Sequence, residues 1–341
     1  MDIAKPYLLF LGDVRDQLAA KVAHGLYHWR PDWCVGQLRL DGCGADTGAP
    51  DLDVAAAAGR GARTMVVAVA NAGGTLDPSW TPAIVAAIEA GLDIASGLHV
   101  RLRDVPEIVE AAERRGARLI DVRHADRTFA TGKGDVRPGR RLLTVGTDCS
   151  VGKKYTALAL EKGLREVGVD ADFRATGQTG VLISGRGAAI DAVVADFISG
   201  AVEWIAPAAD PDHWDIIEGQ GSLFHPSFSG VSLGLLHGAQ PDAFVVCHEP
   251  TRRTMRGVQA PIPSIAEVIA STELLGRVTN PAIRCVGIAV NTERLDVAAA
   301  VSCLRRTGAA HGLPAIDPIR FGCGPLVERI VEDFGLRARA P

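Results

Sequence analysis

Short apolar runs alternate with segments of helical period along the whole chain. Residues 7–11 (YLLFL), 34–40, 63–70 (RTMVVAVA), 92–96 and 119–122 are runs of four to eight mostly apolar residues, the pattern of strands. Residues 14–27, 80–90 and 104–115 repeat their apolar positions at three- and four-residue spacing, and the last of these carries Pro106 in its first turn. Strands alternating with helices predict parallel pairing and a doubly wound sheet. Residues just past the strand ends, Gly12, Asp13, Asn71, Gly73, Gly74, His99 and His124, would line a crevice of that sheet. No G-x-G-x-x-G follows the first strand, so no dinucleotide site is inferred there.

Residues 124–140 (HADRTFATGKGDVRPGR) are polar and rich in glycine and basic groups, which marks a boundary. We divide the chain there into domains 1–130 and 131–341. The second series begins with a strand at 141–145 (RLLTV) and a helix at 155–167, and continues with strands at 172–175, 214–218, 243–247 and 285–290. Helix, strand and helix close it over 294–336. Between the strands, residues 176–187 (TGQTGVLISGRG) read as a flexible loop, and Asp191, Asp196 and Glu203 lie on helical segments. The expected fold class is α/β, with two domains each built on a parallel sheet.

The stretch VGTDCSVGKKYT at 145–156 stands between the strand at 141–145 and the helix that follows. Strand, glycine-bounded loop and helix form a phosphate site, because loop amides and a helix N-terminus converge on an anion and a lysine adds full charge. The candidate cofactor-binding residues are therefore Gly146, Thr147, Asp148, Cys149, Ser150, Val151, Gly152, Lys153, Lys154 and Tyr155. Five residues separate the two glycines instead of four, and this G-T-D-x-x-V-G-K form resembles the dethiobiotin synthetase branch of P-loop proteins. After Lys153, where a hydroxyl would hold Mg2+, stands Lys154. Thr156 follows two residues later and faces another way on the helix. Such a loop suits a polyphosphate held without metal, so no metal site is expected.

Charged residues at 22%, hydrophobics at 47% and a net charge of -4 describe a soluble α/β protein and give no support to a nucleic-acid or membrane-surface partner. The first residues carry only a brief apolar run before acidic groups, so a cytoplasmic location is expected. Seven cysteines without a C-x-x-C pair argue against a disulfide framework and against zinc. Cys149 differs from the others by its place in the phosphate loop, where two lysines and a helix N-terminus would lower its pKa.

Further candidates follow the strand ends. Arg174, Gln178, Thr179 and Arg186 are polar groups available to a small ligand. Glu218 ends an apolar strand and opens EGQGSLFHPSFSG; a carboxylate there is costly to leave unpaired, so it should face the phosphate site or a substrate ammonium. His225, seven residues on, is a second candidate base. HEPTRR at 248–253 places Arg252 beyond another strand, and a guanidinium suits carboxylate or phosphate.

GTDCSVGKKYTAL, RATGQTG, IEGQGSLFHPSFSGVSLGLLHG, HEPTRR and VNTE together resemble, over nearly the full length, the DgcN-type D-glutamate N-acetyltransferase family, a Rossmann-like N-terminal domain joined to a P-loop C-terminal domain. The resemblance implies acetyl transfer from acetyl-CoA to the α-amino group of D-glutamate or D-glutamine, with the loop on the CoA phosphates and Asn291 where this branch contacts an adenine. It further implies Glu218 or His225 as base, loop amides or Gln178 as oxyanion donors, and Arg174, Thr179 and Arg252 around the substrate. The alternative is an ATP-dependent ligase or carboxylase of the dethiobiotin synthetase type, with Mg2+ on Glu218 and Asp148. A non-enzymatic nucleotide-binding regulator is a third reading. The expected partners are small molecules and further copies of the chain in a homo-oligomer.

Overall fold

The computed structural model describes residues 3–17, 19–70, 74–124 and 127–336. They divide into two compact units, one made of the chain up to residue 128 together with 177–192, the other of 129–176 and the chain from 193 onward. Both units are parallel α/β sheets, as the alternation of apolar runs and amphipathic segments predicts. No helix among the described residues is long and apolar enough to cross a membrane.

The first unit is a five-stranded sheet of order β2-β1-β3-β4-β5, formed by β1 (Tyr7–Gly12), β2 (Cys34–Arg39), β3 (Thr64–Val67), β4 (Asp93–Ser96) and β5 (Leu119–Asp121). All four strand pairs are parallel. Every residue of β1 and β3 is buried, which is why their sequences read as unbroken apolar runs. The connecting helices are α1 (Lys21–Trp29), α2 (Val54–Gly59), α3 (Thr81–Glu89) and α4 (Pro106–Arg115). The strand order reverses between β1 and β3, where the crevice is expected. Trp80, 2% exposed, fills that place: its ring lies against Gly12 and edge-on to Phe10, and its indole N–H donates to Asp13 at 2.8 Å. The amides of His99 and Val100 donate to the Gly74 carbonyl, and His124 Nε2 lies 3.2 Å from the His99 carbonyl. Asn71 and Gly73 lie outside the described residues.

Residues 176–187 depart from the sequence-based expectation of a flexible loop. Gln178–Ser184 form a helix, α6, in which Gly180, Val181, Leu182 and Ile183 are buried, and it packs on α1 within the first unit. The glycines and hydroxyls around it favour loop by local propensity, but burial of the apolar triplet overrides them.

The second unit is a six-stranded parallel sheet of order β11-β10-β9-β6-β8-β7. Its strands are β6 (Arg140–Gly146), β7 (Ala171–Arg174), β8 (Trp214–Ile217), β9 (Ala243–His248), β10 (Arg284–Val290) and β11 (Ala315–Ile316). The helices are α5 (Lys153–Glu166), α7 (Ile198–Ile205), α8 (Ser229–Ala239), α9 (Ile265–Gly276), α10 (Val297–His311) and α11 (Gly324–Phe334). The chain leaves β6 toward β7 and β8, and leaves β9 in the opposite direction toward β10. The switch point therefore lies between the neighbours β6 and β9, with Gly146 opposite Cys247.

A charge cluster ties β7 to β8. Arg174 Nε donates to Asp215 and its Nη2 lies 3.3 Å from Asp172, while His213 reaches Asp170 through Nδ1 at 3.0 Å and Asp215 through Nε2 at 3.2 Å. The hydrogen bond that His213 donates to Asp215, with help from the one to Asp170, raises the His213 pKa to about 9 against the cost of burial. A folded-state value above the ordinary 6.5 contributes stability that is complete below pH 6.5 and lost as pH rises through about 9. At about 1.4 kcal/mol per tenfold change in proton affinity, and with Asp170 open to water, we expect His213→Gln to cost ~1–2 kcal/mol at pH 6 and little at pH 10. Urea denaturation at the two pH values checks this; an equal cost at both would remove the charged His213 from the account.

Candidate active site

Strand β6 delivers the phosphate loop to the switch point. The Thr147 amide donates to the Cys247 carbonyl at 3.0 Å, which anchors the loop on β9. The loop then turns through left-handed backbone at Ser150 (φ 54°) and Gly152 (φ 104°). Alternation of this kind turns successive amides inward as an anion-binding concavity, and the φ of Gly152 is one that residues with a Cβ rarely adopt. Gly152 is the N-cap of α5 and no side chain caps that helix, so its first-turn N–H groups remain for an anion. Lys153 is buried, donates to the Asp148 carbonyl at 2.7 Å, and has its pKa lowered by burial. Lys154 lies with its ammonium 4.6 Å from the Tyr155 ring centroid. The hydroxyl of Thr156 accepts the Cys247 thiol instead of turning to the loop.

The loop after β9 clasps the phosphate loop. Asp148 has no exposed surface; its Oδ2 accepts Arg252 Nη1 at 2.6 Å and the Arg256 amide at 2.8 Å. Arg252 also donates to the carbonyls of Cys149 at 2.7 Å and Ser150 at 3.3 Å, and Arg256 donates to the Ser150 hydroxyl. His225 holds the same residue through its carbonyl, with Nε2 3.0 Å from the Arg256 carbonyl oxygen and Nδ1 accepting the Ser227 amide at 3.2 Å. The two bonds assign the proton to Nε2 and engage both ring nitrogens. His225 is 1% exposed and stacks on Phe228, so it positions the basic loop and is not placed to act as a base.

Asp148, Cys149 and His225 offer ligand atoms within 4.8 Å of one another. Asp148 Oδ1 lacks a hydrogen-bond partner and lies 4.0 Å from His225 Nε2. The imidazole presents an N–H there, however, so a cation would first have to displace the bond to Arg256; the donor set does not fit a resident metal. Burial raises the Cys149 pKa despite the opposing charges of Lys153, Arg256 and Arg252, which corrects the expectation of a lowered value.

Glu218 follows β8. Its carboxylate accepts the Thr176 amide at 3.1 Å and its carbonyl accepts the Thr176 hydroxyl at 2.6 Å. The Tyr155 pKa is raised by burial first, then by the charges of Glu218 and Glu293. Arg174, expected at the substrate, turns back along its strand to Asp215 and Asp172. Its carboxylate partners come from the protein, because β7 is the edge strand and Asp172 and Asp215 face each other across the pair. Gln178 and Thr179 belong to the first unit through α6. Asn291, at the end of β10, donates its amide to the His248 carbonyl and accepts the Glu293 amide on Oδ1.

One residue that the sequence reading passed over stands at this junction. His248, the last residue of β9, is half-buried and places Nδ1 3.1 Å from the Thr147 hydroxyl.

With that geometry in view, the family is decided by direct matches. A model described as a domain of unknown function, DUF1611_C P-loop domain, matches residues 128–327, and one described as DUF1611_N Rossmann-like domain matches residues 36–125. The chain belongs to the DUF1611 family. A solved DUF1611 structure from Anabaena variabilis is 31% identical, with a TM-score of 0.85 over 96% of this chain and 100% of that one. A protein of Pseudoalteromonas named D-glutamate N-acetyltransferase is 50% identical over 97% of this chain and 100% of its own. One of Tritonibacter scottomollicae with the same name is 50% identical over 96% of this chain and 99% of its own. The clasp described above is how this DUF1611 member orders its phosphate loop.

Proposed function

We propose that this protein is an N-acetyltransferase that moves the acetyl group of acetyl-CoA to the α-amino group of D-glutamate. D-Glutamine is the nearest alternative acceptor. The observation that carries the reading is the combination of two full-length relatives of that name with a phosphate loop whose hydroxyl position is Lys154. CoA presents a pyrophosphate and a 3'-phosphate but reacts at its thioester. Its holder therefore needs cations and amides, not a metal activating phosphorus. The uncapped amides of α5, with Lys153 and Lys154, supply these. Glu218 takes the substrate ammonium, a use consistent with a buried carboxylate beside the loop. The ligase alternative would place Mg2+ on Asp148 and Glu218; with Asp148 Oδ2 committed to Arg252 and Arg256, only Oδ1, 4.0 Å from His225 Nε2, is left to meet a metal.

Calorimetric titration with acetyl-CoA, and separately with ATP with and without Mg2+, tests the reading together with a thiol-release assay on D-glutamate and D-glutamine. Acetyl-CoA should bind without metal, thiol should appear only with the D-amino acid, and Lys153→Ala should weaken binding about 10- to 100-fold, the loss of one or two charge-assisted hydrogen bonds. Mg2+-dependent ATP binding with no response to acetyl-CoA would overturn it in favour of the ligase.

A further inference from the structure

We propose that His248 is the general base of the acetyl transfer, held for that task by the Thr147 hydroxyl. The inference rests on the N-acetyltransferase reading and names a residue that the reading does not itself require.

Three observations converge on it. His248 ends β9 at the switch point, with its strand neighbour β6 feeding the phosphate loop and β10 feeding the loop of Asn291, so its side chain stands where ligands of such sheets bind. Its Nδ1 is engaged by Thr147, which is fully buried, whereas Nε2 makes no hydrogen bond or ion pair among the described residues. The other histidine of the site, His225, has both nitrogens engaged. A threonine hydroxyl both donates and accepts, so it can accept the hydrogen bond donated by Nδ1–H and leave the Nε2 lone pair directed outward.

The charged residues on the adjoining elements are Asp148, Lys153 and Lys154 of the phosphate loop, Glu249, Arg252, Arg253 and Arg256 of its own loop, and Glu293 and Arg294 beyond β10. Burial lowers the His248 pKa first; Glu249 raises it and Arg252 lowers it further. The imidazole is thus uncharged at neutral pH and able to accept a proton.

In the reaction the substrate ammonium gives one proton to Nε2, which passes it to solvent. The amine lone pair then bonds to the thioester carbonyl carbon. The nitrogen of the tetrahedral adduct gives its second proton to Nε2, the carbon–sulfur bond breaks with its electron pair on sulfur, and the imidazolium protonates the leaving thiolate. Ammonium and acetyl-CoA become amide, CoA thiol and one solvent proton.

His248→Asn and His248→Ala, measured with acetyl-CoA and D-glutamate, test the role. We expect kcat to fall about 10²- to 10³-fold, acetyl-CoA affinity to stay within about threefold, and added imidazole to restore part of the activity of the alanine variant. In the wild type, kcat/KM should fall as pH drops below 6.5, and that limb should be absent from the residual activity of His248→Asn. A folded variant that binds acetyl-CoA and keeps kcat within about threefold, or keeps the acid limb, overturns the proposal. If neither variant folds, the wild-type profile decides, and a kcat/KM that falls at no pH below 6.5 at which the protein stays folded overturns it. Absence of thiol release by the wild type would instead sink the N-acetyltransferase reading, and is seen before any variant is made.

Discussion

Asp148→Ala is expected to lower the stability of the second unit by about 3 kcal/mol and to weaken acetyl-CoA binding at least tenfold. The carboxylate has no exposed surface and satisfies two donors from a loop more than a hundred residues away, the Arg252 guanidinium and the Arg256 amide. Its removal leaves the amide without its acceptor and the guanidinium without its strongest partner. Breaking a buried charged pair costs about 3–5 kcal/mol, and the lower end applies because Arg252 still reaches water. The binding defect follows from the same bonds. Arg252 holds the Cys149 and Ser150 carbonyls only while Asp148 holds Arg252, so the loop loses the conformation in which its amides converge. Asp148→Asn keeps the volume and one acceptor and should lose roughly half as much. Urea denaturation and acetyl-CoA titration of both variants check this; an alanine variant within about 0.5 kcal/mol of the wild type would mean that the clasp is not a stabilising feature.

The strands of both sheets were legible in the sequence because burial on both faces leaves an apolar run and little else. YLLFL, RTMVVAVA and RLLTV became β1, β3 and β6 within a few residues of the expected bounds. The phosphate loop was legible for a different reason, since a glycine with positive φ and a lysine after it are local requirements of one turn. Helices were legible where polar and apolar positions separate, as in α4, and not where glycine dilutes the signal. The segment SGVSLGLLHGA is α8 only because β6, α7 and α9 surround it. The clasp was not legible. Asp148 meets Arg252 and Arg256 across 104 and 108 residues, and Thr147 meets His248 across 101, separations that only the strand order brings together. The sequence placed Arg174 and Arg252 correctly at strand ends, yet the direction of a long side chain depends on which carboxylates the neighbouring strands supply. For Arg174 those are Asp215 and Asp172, and for Arg252 Asp148. His248 had a usable signal, as the last residue of an apolar strand adjoining the phosphate-loop strand, once β9 is known to lie beside β6.

Gly219→Ala is expected to abolish acetyl-CoA binding and to cost at least ~3 kcal/mol, the upper end for added volume in a packed interior. A Cβ on Gly219 would stand 1.6 Å from the Thr144 carbonyl oxygen and 3.0 Å from Lys153 Cδ. Thr144 belongs to the central strand β6, whose neighbours β8 and β9 are both paired to it, so its backbone cannot withdraw without breaking a ladder. The alternative is for the β8 loop to move out. That would break the bond from the Gly219 amide to the Thr144 hydroxyl at 2.9 Å and displace Glu218, the residue before it, from the Thr176 amide. Either adjustment shifts Lys153 or Glu218, the two charges that the proposed reaction places on the CoA phosphates and on the substrate ammonium. Gly230→Ala is the control, because a Cβ on Gly230 meets nothing within 4 Å and alanine is favoured within α8 by about 0.5–1 kcal/mol. Denaturation midpoints of the two variants should move in opposite directions. A Gly219→Ala protein with the wild-type midpoint and wild-type acetyl-CoA affinity would show that the β8 loop is free to yield, and that the close approach of the two loops does not fix the site.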